Sequence, residues 1–174
     1  MPESWFMLTV VGADRPGIVA RLARDLFVAG AYLGEASMLR LGGNFTIMLM
    51  VRGEFTADSL RAALSVAAAE LGLHLHVDAI DGDLHQHVVP DVRVHVHGAD
   101  RAGIVAEVAE ALVAVGFNIL TLDSDVAGLH AAPIYVMQIE GRAADGIEVV
   151  EAALSPLRAN GIDVRVDSVE TLVG

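Results

Sequence analysis

The residues best suited to chemistry lie in a stretch that occurs twice. Residues 12–19 read Gly-Ala-Asp-Arg-Pro-Gly-Ile-Val, and residues 98–105 read Gly-Ala-Asp-Arg-Ala-Gly-Ile-Val. A helix start presents unpaired N–H groups and a partial positive charge, which can receive a small carboxylate. Arg15 or Arg101 would strengthen that attraction, and Asp14 or Asp100 would receive an ammonium. Together these groups suit an α-amino acid. The same residues also make a sound helix start with no ligand at all. Asp14 or Asp100 is placed to cap the helix, Pro16 fits its first turn, and Gly12 or Gly98 permits a tight turn. Gly17 or Gly103 permits close approach of a backbone or a ligand. From spacing alone, helix capping is the commoner use of such an Asp.

Two other constellations carry potential ligands. Six of the seven histidines form His-X-His pairs: His74/His76, His85/His87 and His95/His97. Alternating residues of a strand share one face, so each pair could present two imidazoles together. The chain has no cysteine and no fixed third ligand, which favours polar or interface residues over a metal site. A domain interface carrying these histidines would respond to pH. Acidic pairs occur at Asp81/Asp83 and Asp123/Asp125. Neither is accompanied by a glycine-rich phosphate loop or a nucleophile, so no catalytic residue, metal or cofactor is expected.

The elements that must position these residues follow one order of periodicities, run through twice. Phe6, Leu8 and Val10 alternate as in a strand. Ile18, Leu22 and Leu26 recur every four residues as in an amphipathic helix, closed near Gly30. Two apolar segments flank Leu-Gly-Gly-Asn at 41–44, a hairpin signal. Residues 57–71 read as a second helix, and Leu73, Leu75 and Val77 as a last strand. The second copy repeats this with Val92, Val94 and Val96; Ile104, Val108 and Leu112; Tyr135, Met137 and Ile139; Ile147, Val150 and Leu154; and Ile162, Val164 and Val166. The order β-α-β-β-α-β is the ferredoxin-like plan: a four-stranded antiparallel sheet with two helices on one face. The fold class is therefore α+β, two such domains in tandem, at 1–82 and 91–174 with a linker at 83–90.

One face of each sheet remains uncovered. In the first copy it carries Trp5, Met7 and Thr9, joined by Met48 and Met50, which is apolar for a face in water. It is expected to meet another sheet, within the chain or across a homodimer. Methionines in these strands read as core or interface packing.

Composition narrows the function classes. Of 174 residues, 54% are apolar, enough for a real core. The net charge of −12, without a basic stripe, argues against direct nucleic-acid binding. No apolar run is long enough to span a bilayer, and the N-terminus lacks a signal-peptide pattern. A cytoplasmic, soluble protein is expected.

The β-α-β-β-α-β order, the Asp-Arg-Pro-Gly-Ile-Val helix start and the Gly-Phe-Asn-Ile turn at 116–119 resemble an ACT domain. Two in tandem, with Leu-Gly-Gly-Asn-Phe at 41–45, resemble the glycine cleavage system transcriptional repressor group. That resemblance implies a non-enzymatic regulatory protein sensing a small amino acid such as glycine or serine. It would act through contacts with a regulatory protein partner. By position it implicates Gly12, Asp14, Arg15 and Gly17 with Tyr32 and Leu33. In the second copy it implicates Asp100, Arg101 and Gly103 with Asn118 and Ile119. The copies depart from each other at Pro16 against Ala102 and Tyr32 against Asn118, which leaves open which loop binds. Two other functions fit the same sequence: a regulatory module of an amino-acid metabolic enzyme, or a dimerisation scaffold with vestigial sites.

Overall fold

The computed structural model describes residues 3–81, 88–99, 101–127 and 133–169. The chain divides into two compact units, residues 1–85 and 86–174. In the first unit the elements are β1 (Ser4–Ala13), α1 (Ile18–Val28), β2 (Tyr32–Leu41), β3 (Asn44–Gly53), α2 (Ala57–Leu71) and β4 (His74–Ile80). In the second they are β5 (Val92–Ala99), α3 (Ile104–Val113), β6 (Asn118–Ala127), β7 (Ile134–Arg142), α4 (Ile147–Leu154), a 3-10 turn (Ser155–Asn160) and β8 (Ile162–Ser168). The sheets are antiparallel, in the orders β2-β3-β1-β4 and β6-β7-β5-β8. Each first strand is thus central, and the loop that leaves it opens at one end of its sheet. This is the ferredoxin-like arrangement that the order of periodicities predicts.

Alternation places Phe6, Leu8 and Val10 under the helices with Ile47, Leu49 and Val51 beside them. Ile18, Leu22 and Leu26 of α1 and Leu60 and Leu64 of α2 close that core. The second unit builds an equivalent core from Val92, Val94, Val96, Ile104, Val108, Leu112, Met137 and Ile139. Among the described residues no polar or charged side chain is buried, so both cores are held by apolar burial, at about 1.5–3 kcal/mol for each large side chain.

Helix ends explain where the elements stop. Gly30, at φ +83°, ends α1, with the Ala31 N–H donating to Leu26 and the Gly30 N–H to Phe27, a Schellman closure. Thr56 and Ser59 exchange side-chain to backbone hydrogen bonds at the start of α2, a capping box. Gly42 and Gly43 both have positive φ, as a two-residue hairpin turn between β2 and β3 requires. The second unit departs at its second helix. Pro156 lacks the N–H that an α-turn needs, so α4 gives way to a 3-10 turn after Leu154, whereas α2 runs unbroken for 15 residues.

The faces turned away from the helices differ in chemistry. Trp5, Met7 and Thr9 of β1 lie opposite Arg52, Met50 and Met48 of β3. At the corresponding pairs of the second unit, Arg93, His95 and His97 lie opposite Glu140, Gln138 and Val136. The β8 neighbours on that face are Asp167, Arg165 and Asp163. Arg93 pairs with Glu140 at 2.6 Å and Arg165 with Asp167 at 2.9 Å. Met50 is only 6% exposed, because Gly34 lets Trp5 and Met50 pack closely on that face.

Candidate functional site

The two loops after the first strands start from glycines with different tasks than their sequence suggests. Gly12 was expected to turn the chain and Gly17 to admit a close neighbour; the structure exchanges these roles. Gly12 lies within β1, and a Cβ there would sit 2.6 Å from the Leu73 side chain and 3.2 Å from the Gly72 carbonyl oxygen. Gly17 has open space around it but adopts φ +91°, a conformation that costs an L-residue roughly 1–2 kcal/mol. Gly98 and Gly103 repeat the pattern: Gly98 is crowded by Ile104, and Gly103 has φ +93°.

The expected capping by Asp14 is not observed. Gly17 occupies the N-cap position of α1 and has no side chain to offer, and Pro16 lies just outside the helix rather than in its first turn. Asp14 instead reaches across the sheet end. Its backbone N–H donates to the Gly43 carbonyl at 3.1 Å, and its carboxylate pairs with Arg40 at 2.6 Å. Arg40 and Gly12 both neighbour Phe45 in the ladder, which brings Arg40 onto the helix side beside the loop. Asp14 therefore already has a cationic partner, so the ammonium role expected of it has a built-in competitor.

The start of α1 opens onto a cleft of about 510 Å³ lined by Asp14, Arg15, Gly17, Ile18, Val19, Ala20, Met38 and Phe45. The first intrahelical bond is Arg21 N–H to the Gly17 carbonyl, so the amides before Arg21 are the unpaired ones of the helix start. Arg15 is exposed and pairs with no acid among the described residues. Arg21 points elsewhere, to Glu70 at 2.6 Å and Asp25 at 2.9 Å. Those two acids raise its pKa, Glu70 first and Asp25 second.

The second loop differs. Arg101 binds Glu107 through both terminal guanidinium nitrogens, at 2.6 and 2.9 Å. Glu107 stands where the first copy has Arg21, at the same offset of 86 that relates Gly17 to Gly103. The Arg101 hydrogen bonds hold the Glu107 carboxyl below its ordinary range and raise the Arg101 pKa. One Glu107 carboxylate oxygen lies 3.9 Å from the Cβ position of Gly103. An internal carboxylate thus already engages the arginine that the sequence offers to a ligand. Asp100 lies outside the described residues.

Tyr32 and Leu33, the other half of the first expected site, are at the far end of the same sheet. Tyr32 pairs with Arg52 and Arg52 with Trp5, whereas Gly12 pairs with Phe45. Gly12 lies seven steps along β1 from Trp5, roughly 24 Å at the strand rise. Tyr32, Leu33, Trp5 and Arg52 line a separate cleft of about 320 Å³. There the Arg52 guanidinium lies 4.7 Å from the Tyr32 ring centroid and 5.4 Å from that of Trp5, cation–π distances. In the second unit Asn118 pairs with Arg142 and Ile119 with Gly141, which also pairs with Val92, again opposite the loop end. No amino acid spans both ends of one sheet.

Sequence reasoning missed Arg40, Glu107 and Arg52, and it placed Trp5 only on the uncovered sheet face and read Met38 only as packing. A signal for Glu107 was available, since an acid in the first turn of a helix is a favoured partner of its start. Arg40 follows from hairpin register once the turn is placed at Gly42–Gly43.

His74, His76 and His97 are exposed and His95 is half-buried; His76 lies 2.9 Å from Asp78 and His95 3.8 Å from Asp167. Asp81, Asp123 and Asp125 are exposed. His85, His87 and Asp83 lie outside the described residues. Among the described residues no three His, Cys, Asp or Glu side chains are grouped to hold a metal ion, and no helix is long and apolar enough to cross a membrane.

Comparison with known proteins bears on this geometry. The ACT domain family matches residues 4–78 and again 91–167. The chain is 32% identical over 72 residues to the glycine cleavage system transcriptional repressor of Escherichia coli (strain K12), across 41% of this chain and 38% of the repressor. It therefore spans well under half the length of that relative. It is 36% identical over 85 residues to UPF0237 protein YjhC of Lactococcus lactis, across 46% of this chain and 95% of that protein. Among solved structures, a protein from Galdieria sulphuraria matches with a TM-score of 0.76 at 25% identity, covering 97% of this chain and all of that one. A structure provisionally assigned as a glycine cleavage system transcriptional repressor matches with a TM-score of 0.70 at 16% identity, covering 98% and 100%, and shares the fold. Two consecutive matches cover both units, and the chain belongs to the ACT domain family.

Proposed function

We propose that this chain is a non-enzymatic regulatory protein, cytoplasmic and homodimeric, that senses a small amino acid such as glycine or serine. The ligand sits where ACT domains meet, and the protein acts through contacts with a regulatory partner. Domains at 1–82 and 91–174, with a linker at 83–90, carry this function. The observation that carries the reading is the open start of α1, where unpaired amides and the exposed Arg15 share one cleft. A carboxylate docked there would gain charge-assisted hydrogen bonds.

The separation of the loop from Tyr32 and Leu33 gives the reading a mechanism. A ligand touching both kinds of residue must bridge the loop of one ACT domain and the strand start of another, so its binding favours one domain arrangement over others. Gly12, Asp14, Arg15 and Gly17 supply the loop side in the first copy, with Tyr32 and Leu33 as its strand-start groups, and Asp100, Arg101 and Gly103 answer them in the second copy, with Asn118 and Ile119. The Arg101–Glu107 pair favours a scaffold role for the loop of the second copy. Thermal-shift screening of the amino acids tests the proposal: a specific ligand raises the melting temperature in a concentration-dependent way. No shift with any amino acid would leave the scaffold reading in its place.

A further inference from the structure

We propose that Glu107 acts as the second loop's own ligand. Its carboxylate takes the place beside Arg101 that a free carboxylate would fill, so this loop is an anion site closed from within and not a vestigial one. The proposal rests on the reading of these loops as carboxylate sites. Arg101 commits both terminal guanidinium nitrogens to the two Glu107 oxygens, the planar fork with which arginine recognises a carboxylate. One of those nitrogens also donates to the Ala102 carbonyl at 3.4 Å. The Asn160 side chain, at the end of the 3-10 turn, donates to the same Glu107 carboxyl. Glu107 is thus held from the loop on one side and from the turn on the other. It lies against the start of α3, and the seated carboxylate itself shows that Arg101 receives an anion there.

The first unit arranges its charges the other way. Arg21 stands at the position of Glu107 and is drawn to Glu70, near the end of α2. Where α2 supplies an acid, the turn after α4 supplies Asn160, a neutral donor. An acid there would repel Glu107, whereas an amide holds it. A free carboxylate reaching the second loop must displace a tethered one, which is always present at high effective concentration. It must also enter beside a like charge. The first loop has no such competitor at Arg15, which pairs with no acid among the described residues. One side chain outside the repeated motif therefore decides which carboxylates the second loop admits.

Proton–nitrogen correlation spectra of the full chain test this, because the amides of each loop report separately. Sodium acetate and glycine are titrated in turn at constant ionic strength. In the wild type the amides of residues 103–105, at the start of α3, should show no saturable shift. In Glu107→Ala and Glu107→Gln they should shift saturably. Their dissociation constant should be at least about fivefold below any wild-type response there, the factor one partly exposed ion pair sustains. Adding Arg101→Ala to Glu107→Ala should abolish the response. Melting temperatures show that the variants fold, and Glu107→Gln, close to glutamate in shape, carries the test where Glu107→Ala unfolds. Residues 103–105 that respond equally in the wild type, stay still in both Glu107 variants, or respond without Arg101 would overturn the proposal. If residues 17–19 stay still while 103–105 respond in the variants, the reading of the first loop fails and this proposal stands.

Discussion

The first and second units share strand order, core positions and the loop sequence Gly-Ala-Asp-Arg, yet their loops end in different states. In the first, Asp14 is drawn off to Arg40, Arg21 is drawn off to Glu70 and Asp25, and Arg15 is left beside an open helix start. In the second, Arg101 is held by Glu107. One exchange, Arg21 against Glu107, accounts for much of this: a cation at that position turns toward α2, and an anion folds back onto its own loop. Both copies keep the backbone of the loop, while side chains outside the repeated motif decide whether the proposed carboxylate site stays open.

The comparison can be broken most forcefully in the cores. Leu26 and Leu112 occupy matching positions, both fully buried, so Leu26→Ala and Leu112→Ala should each cost about 3 kcal/mol in chemical denaturation. A loss below about 1 kcal/mol in either would show that the cores are not equivalent. The glycines ending β3 and the corresponding stretch of β7 should separate the units next. A Cβ at Gly141 would run into the Asn118 carbonyl oxygen and the Phe117 ring, whereas the three atoms nearest to one at Gly53 all belong to the Phe55 ring. Gly141→Ala should reach the top of the roughly 1–3 kcal/mol range for overpacking, and Gly53→Ala should cost less because a side chain can move. Equal losses in thermal melts would remove that distinction. Gly17→Ala and Gly103→Ala, at φ +91° and +93°, should cost the same, about 1–2 kcal/mol each.

The smallest effect concerns pH. The Glu107 carboxyl is held below its unfolded range by Arg101, so its pair stabilises the fold at neutral pH. That contribution is lost as pH falls through the lowered folded value. Melting temperatures of the wild type and Glu107→Gln should differ slightly at neutral pH and converge in acid. A difference that persists once carboxylates are protonated would assign the stabilisation to something other than this pair.

Much of the fold was legible because it rests on periodicity. Alternation at Phe6, Leu8 and Val10 and four-residue spacing at Ile18, Leu22 and Leu26 identify faces without knowledge of partners. The helix at 57–71 has the same bounds in the structure. The broken second helix of the second unit escaped notice, although Pro156 marks it. The loop was harder to read, because a glycine in sequence does not reveal whether it supplies a positive φ or space. Gly12 and Gly17 exchange those tasks. Asp14 was assigned to the nearest helix, but its partner Arg40 lies across a hairpin whose register sets the contact. That the loop and Tyr32 lie at opposite sheet ends follows from strand order, which local patterns do not contain.

The most direct test of the account is a calorimetric titration of glycine and of serine into the wild type, Arg15→Ala and Arg101→Ala. The account predicts saturable binding of at least one of them by the wild type, loss of that binding in Arg15→Ala and its retention in Arg101→Ala. Binding that survives Arg15→Ala and disappears in Arg101→Ala would place the working loop in the second unit and contradict the account.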